Sequence, residues 1–139
     1  MIEIWFVYII YNKNCSYVGI TPDPKKRILK HNGKLPGGAK YTKSKGDGWK
    51  YICIIEGLDK INAMKLEWAI KHCPPKKNLG LDNRIKKLYT TLLKDKWTSK
   101  SPDADSLPLI IKWIEPKFRN NNINLPFYIF EEYLKENDI

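Results

Sequence analysis

Long apolar runs are missing from this chain of 139 residues. No stretch approaches the ~18–20 apolar residues that a membrane helix needs, so no membrane partner is expected. The apolar opening, Ile4-Trp5-Phe6-Val7-Tyr8-Ile9-Ile10-Tyr11, lacks a basic leader region and a small-residue cleavage site. It reads as a strand rather than a signal peptide, and the expectation is an intracellular protein. Cysteine is sparse. Cys15, Cys53 and Cys73 form no close pair and no Cys/His group at zinc spacing. Buried, reduced thiols are expected at Cys15 and Cys53, and an odd count suits a reducing compartment. Arginine is sparse too, with only Arg27, Arg84 and Arg119.

Lysine carries the charge instead. The chain has a formal net charge of +10. Residues 1–100 hold 21 Lys+Arg against 8 Asp+Glu, a surplus of 13, whereas residues 101–139 hold 4 against 7, a deficit of 3. The N-terminal part therefore offers a surface for a polyanion, and the tail does not. Lysine meets phosphate as a mobile point charge, whereas base reading in the major groove draws on Arg. Binding through backbone and shape is the expectation. Enrichment in Lys, Asn and Ile through codon composition is the bland alternative.

Along the chain, residues 4–11 are rich in aromatic and β-branched side chains and predict a central strand. Asn12-Lys13-Asn14 forms a turn into a second strand, Cys15 to Ile20, closing a hairpin. Asp23-Pro24 marks a helix start, and the helix runs to about His31 before Asn32-Gly33. Residues 33–48 contain five glycines, and with Lys50 included the segment carries five lysines. It reads as a basic loop. Trp49 to Ile55 predicts a third strand. Asp59 caps a helix over 60–72, which Ile61, Met64, Leu66, Trp68, Ala69 and Ile70 make apolar on more than one side. Lys76-Lys77-Asn78 reads as a basic turn. Asp82 can cap a helix from Asn83 to Leu93 with Ile85, Leu88, Tyr89 and Leu92 facing inward. After a polar linker anchored by Trp97, Leu107 to Ile114 suggests an edge strand, and Phe127 to Leu134 a closing amphipathic helix. The expected fold class is α/β: a small central antiparallel sheet of about three strands flanked by helices over 1–80, with a mainly helical extension over 81–139 packed on it.

Four local features converge on chemistry. Tyr8 and Tyr17 lie on the two hairpin strands, so both phenols can reach one end of it. Arg27 and His31 stand four apart on one helix and share a face. Glu67 is embedded in an apolar helical stretch, where a carboxylate is paired or bound to a cation. Together they offer a metal ligand, a guanidinium for phosphate and groups for proton transfer. Each has an ordinary reading as well: strand tyrosines, a solvated helix face, and an ion pair of Glu67 with Lys71.

Val7-Tyr8-Ile9 and Tyr17-Val18-Gly19 resemble the two signature tripeptides of the GIY-YIG nuclease superfamily, the first with Val7 in place of glycine. The run from Tyr17 through Pro24, Arg27, His31 and Gly33, then Gly37-Gly38-Ala39, Thr42 and Leu66-Glu67-Trp68-Ala69, resembles the catalytic subunit of the eukaryotic-type structure-specific endonucleases that cut flaps and four-way junctions. Leu107 to Trp113 resembles a segment following the nuclease domain there. The resemblance implies a metal-dependent DNA endonuclease acting in repair or recombination. It implies that Glu67 binds one divalent metal, Mg²⁺ with Mn²⁺ as the alternative. Tyr8 and Tyr17 would sit beside the scissile phosphate, one of them removing a proton from water, with Arg27 on the phosphate and His31 orienting or relaying a proton. Lys30, Lys34, Lys40, Lys43, Lys45 and Lys50 are the expected DNA contacts. Close relatives place an Arg two residues after Gly-Gly-Ala, where this chain has Tyr41. No cysteine follows Cys73 and no histidine follows His72, so neither the zinc domain of the eukaryotic subunit nor bound zinc is expected. The minimal form resembles copies from large DNA viruses, which sets the nucleus or a viral replication site as candidate locations. A scaffold protein or a second copy of the chain stays open as a partner, as do two other readings: a non-catalytic nucleic-acid-binding module and a small basic interaction protein.

Overall fold

In the computed structural model, residues 3–75 and 80–139 are described, so the Lys76-Lys77-Asn78 turn lies outside the described residues. Strand β1 (Trp5–Asn12) turns through Lys13 and Asn14 into β2 (Cys15–Thr21), with Asn12 paired to Cys15 across the hairpin end. Lys13 adopts a positive φ of 56°, as a two-residue hairpin turn demands. Helix α1 (Pro24–His31) starts where Asp23 accepts the Lys26 N–H and Pro24 occupies the first turn. A short helix α2 (Lys40–Ser44) stands in the middle of the segment expected to be loop. Strand β3 (Lys50–Leu58) and helix α3 (Lys60–His72, capped by Asp59) follow, then α4 (Leu81–Leu92). Asp82 is not the cap of α4. That position is Gly80, at φ 89°, and Asp82 lies in the first turn, where its charge complements the helix dipole.

The sheet is larger than three strands, and it is mixed. Its order is β2-β1-β3-β4-β5, where β4 is Leu109–Trp113 and β5 is Ile129–Tyr133. Strand β4 is not an edge strand: it pairs antiparallel with β3 on one side and parallel with β5 on the other. Its near-continuous apolar run suits an interior position, with Leu109, Ile111 and Trp113 buried on one face. The segment expected to be a closing helix is β5. Its Ile-Phe-Glu-Glu-Tyr alternates across the sheet, and Glu131 accepts the Trp113 indole N–H at 2.8 Å and the Arg119 Nε–H at 2.7 Å. A parallel pair needs a long crossover, which residues 114–128 provide. The extension is thus built on two strands, with α4 as its one α-helix among the described residues.

Strand alternation divides the interior. Val7, Ile9, Val18, Ile55 and Ile111 join Leu66 and Ile70 of α3 and Leu88 and Leu92 of α4 on one face. Tyr8, Ile10, Trp49, Tyr51 and Ile54 form the opposite cluster, against which Tyr17 and Ile28 pack. Helix α3 is apolar on more than one side, as expected, but it buries only Ala63, Leu66, Ala69 and Ile70. Ile61, Met64 and Trp68 are exposed, with Trp68 53% exposed and stacked on His72 at 4.3 Å.

Candidate active site

Tyr8 stands directly opposite Gly19 in the β1–β2 ladder, so their side-chain positions share a face. A Cβ at position 19 would lie 2.4 Å from the Tyr8 hydroxyl oxygen and 2.6 Å from Cζ. Glycine at 19 is what lets the Tyr8 ring fold across β2. The phenol then meets α1, where the four-residue spacing of Arg27 and His31 brings both side chains to it.

A continuous hydrogen-bonded column results, and its donors can be assigned. Thr42 Oγ1 donates to the Ala39 carbonyl at 3.0 Å. Having spent its one proton, that oxygen accepts from His31 Nδ1–H at 2.9 Å. His31 Nε2 is therefore the acceptor for the Tyr8 hydroxyl, at 2.6 Å. The Tyr8 oxygen in turn accepts from Arg27 Nε at 3.2 Å. Arg27 Nη1 is anchored on the Gly37 carbonyl at 2.9 Å. Gly38 passes so close to α1 that a Cβ there would lie 2.4 Å from the Lys30 carbonyl oxygen. The Gly37-Gly38 pair thus seats the loop against the helix and delivers the anchor for Arg27.

Burial sets the electrostatics. It pulls the His31 pKa down to about 4, and the Arg27 charge acts in the same direction, so the imidazole is neutral near pH 7. Burial likewise pushes the Tyr8 pKa well above the ordinary phenol value, with the Arg27 hydrogen bond opposing it. For Arg27, burial works against the charge, but bonds and fields from Tyr8 and Tyr17 outweigh it and raise the pKa. Tyr8 is 0% exposed, whereas Tyr17 is half-buried.

The remaining expected residues come from the other face of the sheet. Glu67 of α3 pairs with Lys71 at 2.9 Å, the ion pair anticipated as its ordinary partner. Lys71 Nζ also lies 5.2 Å from the Tyr17 ring centroid, so the pair reaches across edge strand β2. The Glu67 carboxylate is close enough for its charge to raise the Tyr8 pKa further. The structure thus brings Tyr8, Tyr17, Arg27, His31 and Glu67 into one neighbourhood. Among the described residues, no group of three or more His, Cys, Asp or Glu converges as a metal cluster.

Several supporting residues carry no sequence signal for the roles they play. Thr42 fixes the His31 tautomer, and the Trp49 indole donates to the Thr42 carbonyl at 3.1 Å. Asn32, a helix stop by sequence, does more. Its Oδ1 accepts from Gly48 N and Trp49 N, and its Nδ2 donates to Trp49 O, which closes the base of the loop. Tyr41 stacks on Tyr17 with ring centroids 6.4 Å apart and planes at 19°. The α2 lysines Lys40 and Lys43, with Lys45 just after, are exposed beside this ring, as are Lys34 and Lys50 elsewhere on the segment. Lys30 is half-buried, its stem against Gly37.

A Tyr-His-Arg column thus stands between the β-hairpin and the first helix, with a carboxylate arriving from a later helix. The chain belongs to the family of GIY-YIG catalytic domains, whose match covers residues 4–78. It is 34% identical to the structure-specific endonuclease subunit slx1 of Schizosaccharomyces pombe, over 85% of this chain and 48% of that protein. It is 38% identical to the slx1 subunit of Emericella nidulans over 52% of this chain and 18% of that protein. It is 29% identical to the SLX1 subunit of Candida dubliniensis over 85% of this chain and 47% of that protein. The chain thus spans about half, or less, of the length of these curated relatives.

Proposed function

We propose that this protein is a metal-dependent endonuclease that hydrolyses phosphodiester bonds in branched or flapped DNA during repair or recombination. The observation that carries the reading is the column from Ala39 through Thr42, His31 and Tyr8 to Arg27, set beside Tyr17 and Glu67. Hydrolysis of a phosphodiester needs a base for water and fixed positive charge where the phosphorane oxygens become negative. Tyr17 is the accessible phenol, so it takes the proton of the attacking water. Tyr17 acts electrostatically on Arg27, and Lys71 stands over the Tyr17 ring. Both cations place positive charge beside the Tyr17 side chain. Tyr8, being fully buried, acts through its bonds. With neutral His31 behind it, its oxygen faces Arg27 and holds the guanidinium toward the phosphate.

Glu67 is the residue that would hold a divalent cation. A lone carboxylate suits Mg²⁺, or Mn²⁺ in its place, because Mg²⁺ keeps several of its waters and is bound through one or two carboxylates. Lys71 would then give up its ion pair. When bound, such an ion neutralises charge on the phosphate oxygens and on the departing alkoxide. The exposed lysines Lys34, Lys40, Lys43, Lys45 and Lys50, with Lys30 behind them, supply the backbone track.

Cleavage of labelled duplex, 5′-flap, 3′-flap and four-way-junction DNA, with Mg²⁺, with Mn²⁺ and with chelator, is the test. Metal-dependent cutting of the branched substrates is expected. Glu67→Gln should abolish cutting while DNA binding persists. Cutting by that variant at the wild-type rate would remove Glu67 from the mechanism, and absence of cutting on every substrate would refute the hydrolase reading.

A further inference from the structure

Arg84 projects from α4 toward the edge strand β2. It is 7% exposed, its Nε donates to Ser16 Oγ at 3.0 Å, and its Nη1 is buried with no hydrogen-bond partner among the described residues. Among the described residues no ion pair accompanies it. A buried guanidinium N–H left unpaired is unfavourable, and a bound ion is one of the ways in which folded proteins satisfy such a group. Arg84 and its partner Ser16 line an open cleft of about 310 Å³, whose other walls are Tyr17, Val18, Tyr41 and Lys71. Two cations and two phenols therefore surround the cleft; among the described residues no carboxylate lines it, and Glu67 pairs with Lys71 at 2.9 Å from outside it. Tyr17 belongs at once to this cleft and to the catalytic neighbourhood, so an anion held here lies next to the reacting centre.

We infer that the cleft bounded by Arg84, Lys71, Ser16, Tyr17 and Tyr41 is a binding site for a second phosphate of the DNA strand, beside the one that is cut. The chemistry matches a phosphodiester. A planar guanidinium gives directional N–H donors, Lys71 adds a point charge, and the tyrosine hydroxyls are further hydrogen-bonding groups. Arg84 is anchored through Nε on the strand that carries Tyr17, so the site is rigid relative to that phenol. This inference rests on the reading of the protein as a DNA-cutting enzyme and adds to it a contact that positions the strand.

The test is a scan of single methylphosphonate substitutions, each removing one backbone charge, through a flapped DNA duplex. Binding is measured in chelator so that no cutting intervenes. With the wild-type protein, one position beside the cleavage site should weaken binding about tenfold. With Arg84→Gln that position should lose its effect, and the slope of log affinity against log salt should become shallower by about one unit. Arg84→Lys should restore part of the charge effect. If Arg84→Gln does not fold, Lys71→Met serves the same scan, because Lys71 lines the same cleft. A merely structural Arg84 would lower stability without coupling to any single phosphate. That result, or inorganic phosphate raising the melting temperature with no methylphosphonate coupling, overturns the assignment, as does failure of the wild-type protein to bind DNA. Cutting by the wild-type protein without coupling refutes the second-phosphate site alone. Coupling without cutting refutes the hydrolase reading and leaves the phosphate site standing.

Discussion

The Tyr8 hydroxyl donates to His31 Nε2 at 2.6 Å, and it can do so only while His31 is neutral. Burial holds the His31 pKa near 4, below the ordinary value of 6.5. Between those values an unfolded chain binds a proton that the native protein refuses, so stability falls as pH drops through this window. The full contribution is present above about pH 6.5 and is on the order of 3 kcal/mol for a shift of this size. Urea unfolding from pH 7.5 to 4 should therefore show a steep loss in the wild type. His31→Gln should be less stable at pH 7.5, and its stability should depend less on pH over the same range. Equal slopes for the two proteins would mean that His31 does not govern the acid transition.

Gly19 and Tyr8 set a second expectation. A methyl group at 19 would collide with the Tyr8 phenol at 2.4–2.6 Å, and that ring has no free space, being fully buried. Gly19→Ala should displace the phenol from His31 and Arg27 at a cost of about 1–3 kcal/mol, the usual range for overpacking. Cleavage should fall far more than stability does, because the Arg27 orientation depends on the Tyr8 oxygen. Chemical denaturation and a cleavage assay on the same preparation check both halves. A variant with wild-type activity would show that the column is not needed for the reaction.

The exposed lysines give a prediction about binding alone. Lys40, Lys43 and Lys45 stand on and beside α2, next to the Tyr41 ring that stacks on Tyr17. Replacing all three with Gln should flatten the salt dependence of DNA affinity by about one unit for each phosphate that is no longer neutralised. The fold should survive, since all three side chains are exposed. An unchanged slope would place the backbone track elsewhere on the protein.

The parts of this arrangement that are legible in sequence are those governed by local chemistry. Asp23-Pro24 and Asp59 mark helix starts because a cap and a missing N–H act within one turn. The hairpin follows from two strand-forming runs around a polar turn, and the grouping of Tyr8, Tyr17, Arg27, His31 and Glu67 in one neighbourhood follows from motif order. What is not legible depends on partners distant in the chain. Phe127 to Leu134 has an amphipathic pattern that suits a helix, and only its pairing with β4 and the Glu131 bonds to Trp113 and Arg119 make it a strand. Ile61, Met64 and Trp68 look like core residues, but α3 offers the sheet and α4 only its other faces. Arg84 is an ordinary basic residue in an amphipathic helix until Ser16, 68 positions away, receives its Nε–H.

The C-terminal strands lead to the last prediction. Strand β4 pairs with β3 from Cys53 to Glu56, and its Leu109, Ile111 and Trp113 are packed into the same cluster as Val7, Ile9 and Leu66. Removing residues 101–139 would strip β3 of its neighbour, expose a flat apolar edge and open one side of the main core. Each large side chain returned to water forfeits about 1.5–3 kcal/mol, and three from β4 alone rival the whole stability of a small domain. Truncation after Lys100 is therefore expected to give an insoluble or unfolded protein. A narrower change separates core packing from general loss of the tail. Trp113 is 1% exposed and bonded to Glu131, so Trp113→Ala should cost about 3–5 kcal/mol. Trp68→Ala removes an equally large ring from the exposed face of α3 and should cost much less. Melting temperatures of the two variants, measured side by side with the truncated chain, test the ordering. A soluble truncated protein with an unchanged melting temperature would show that the nuclease region closes its core without β4, and the continuous five-stranded sheet would then have no role in stability.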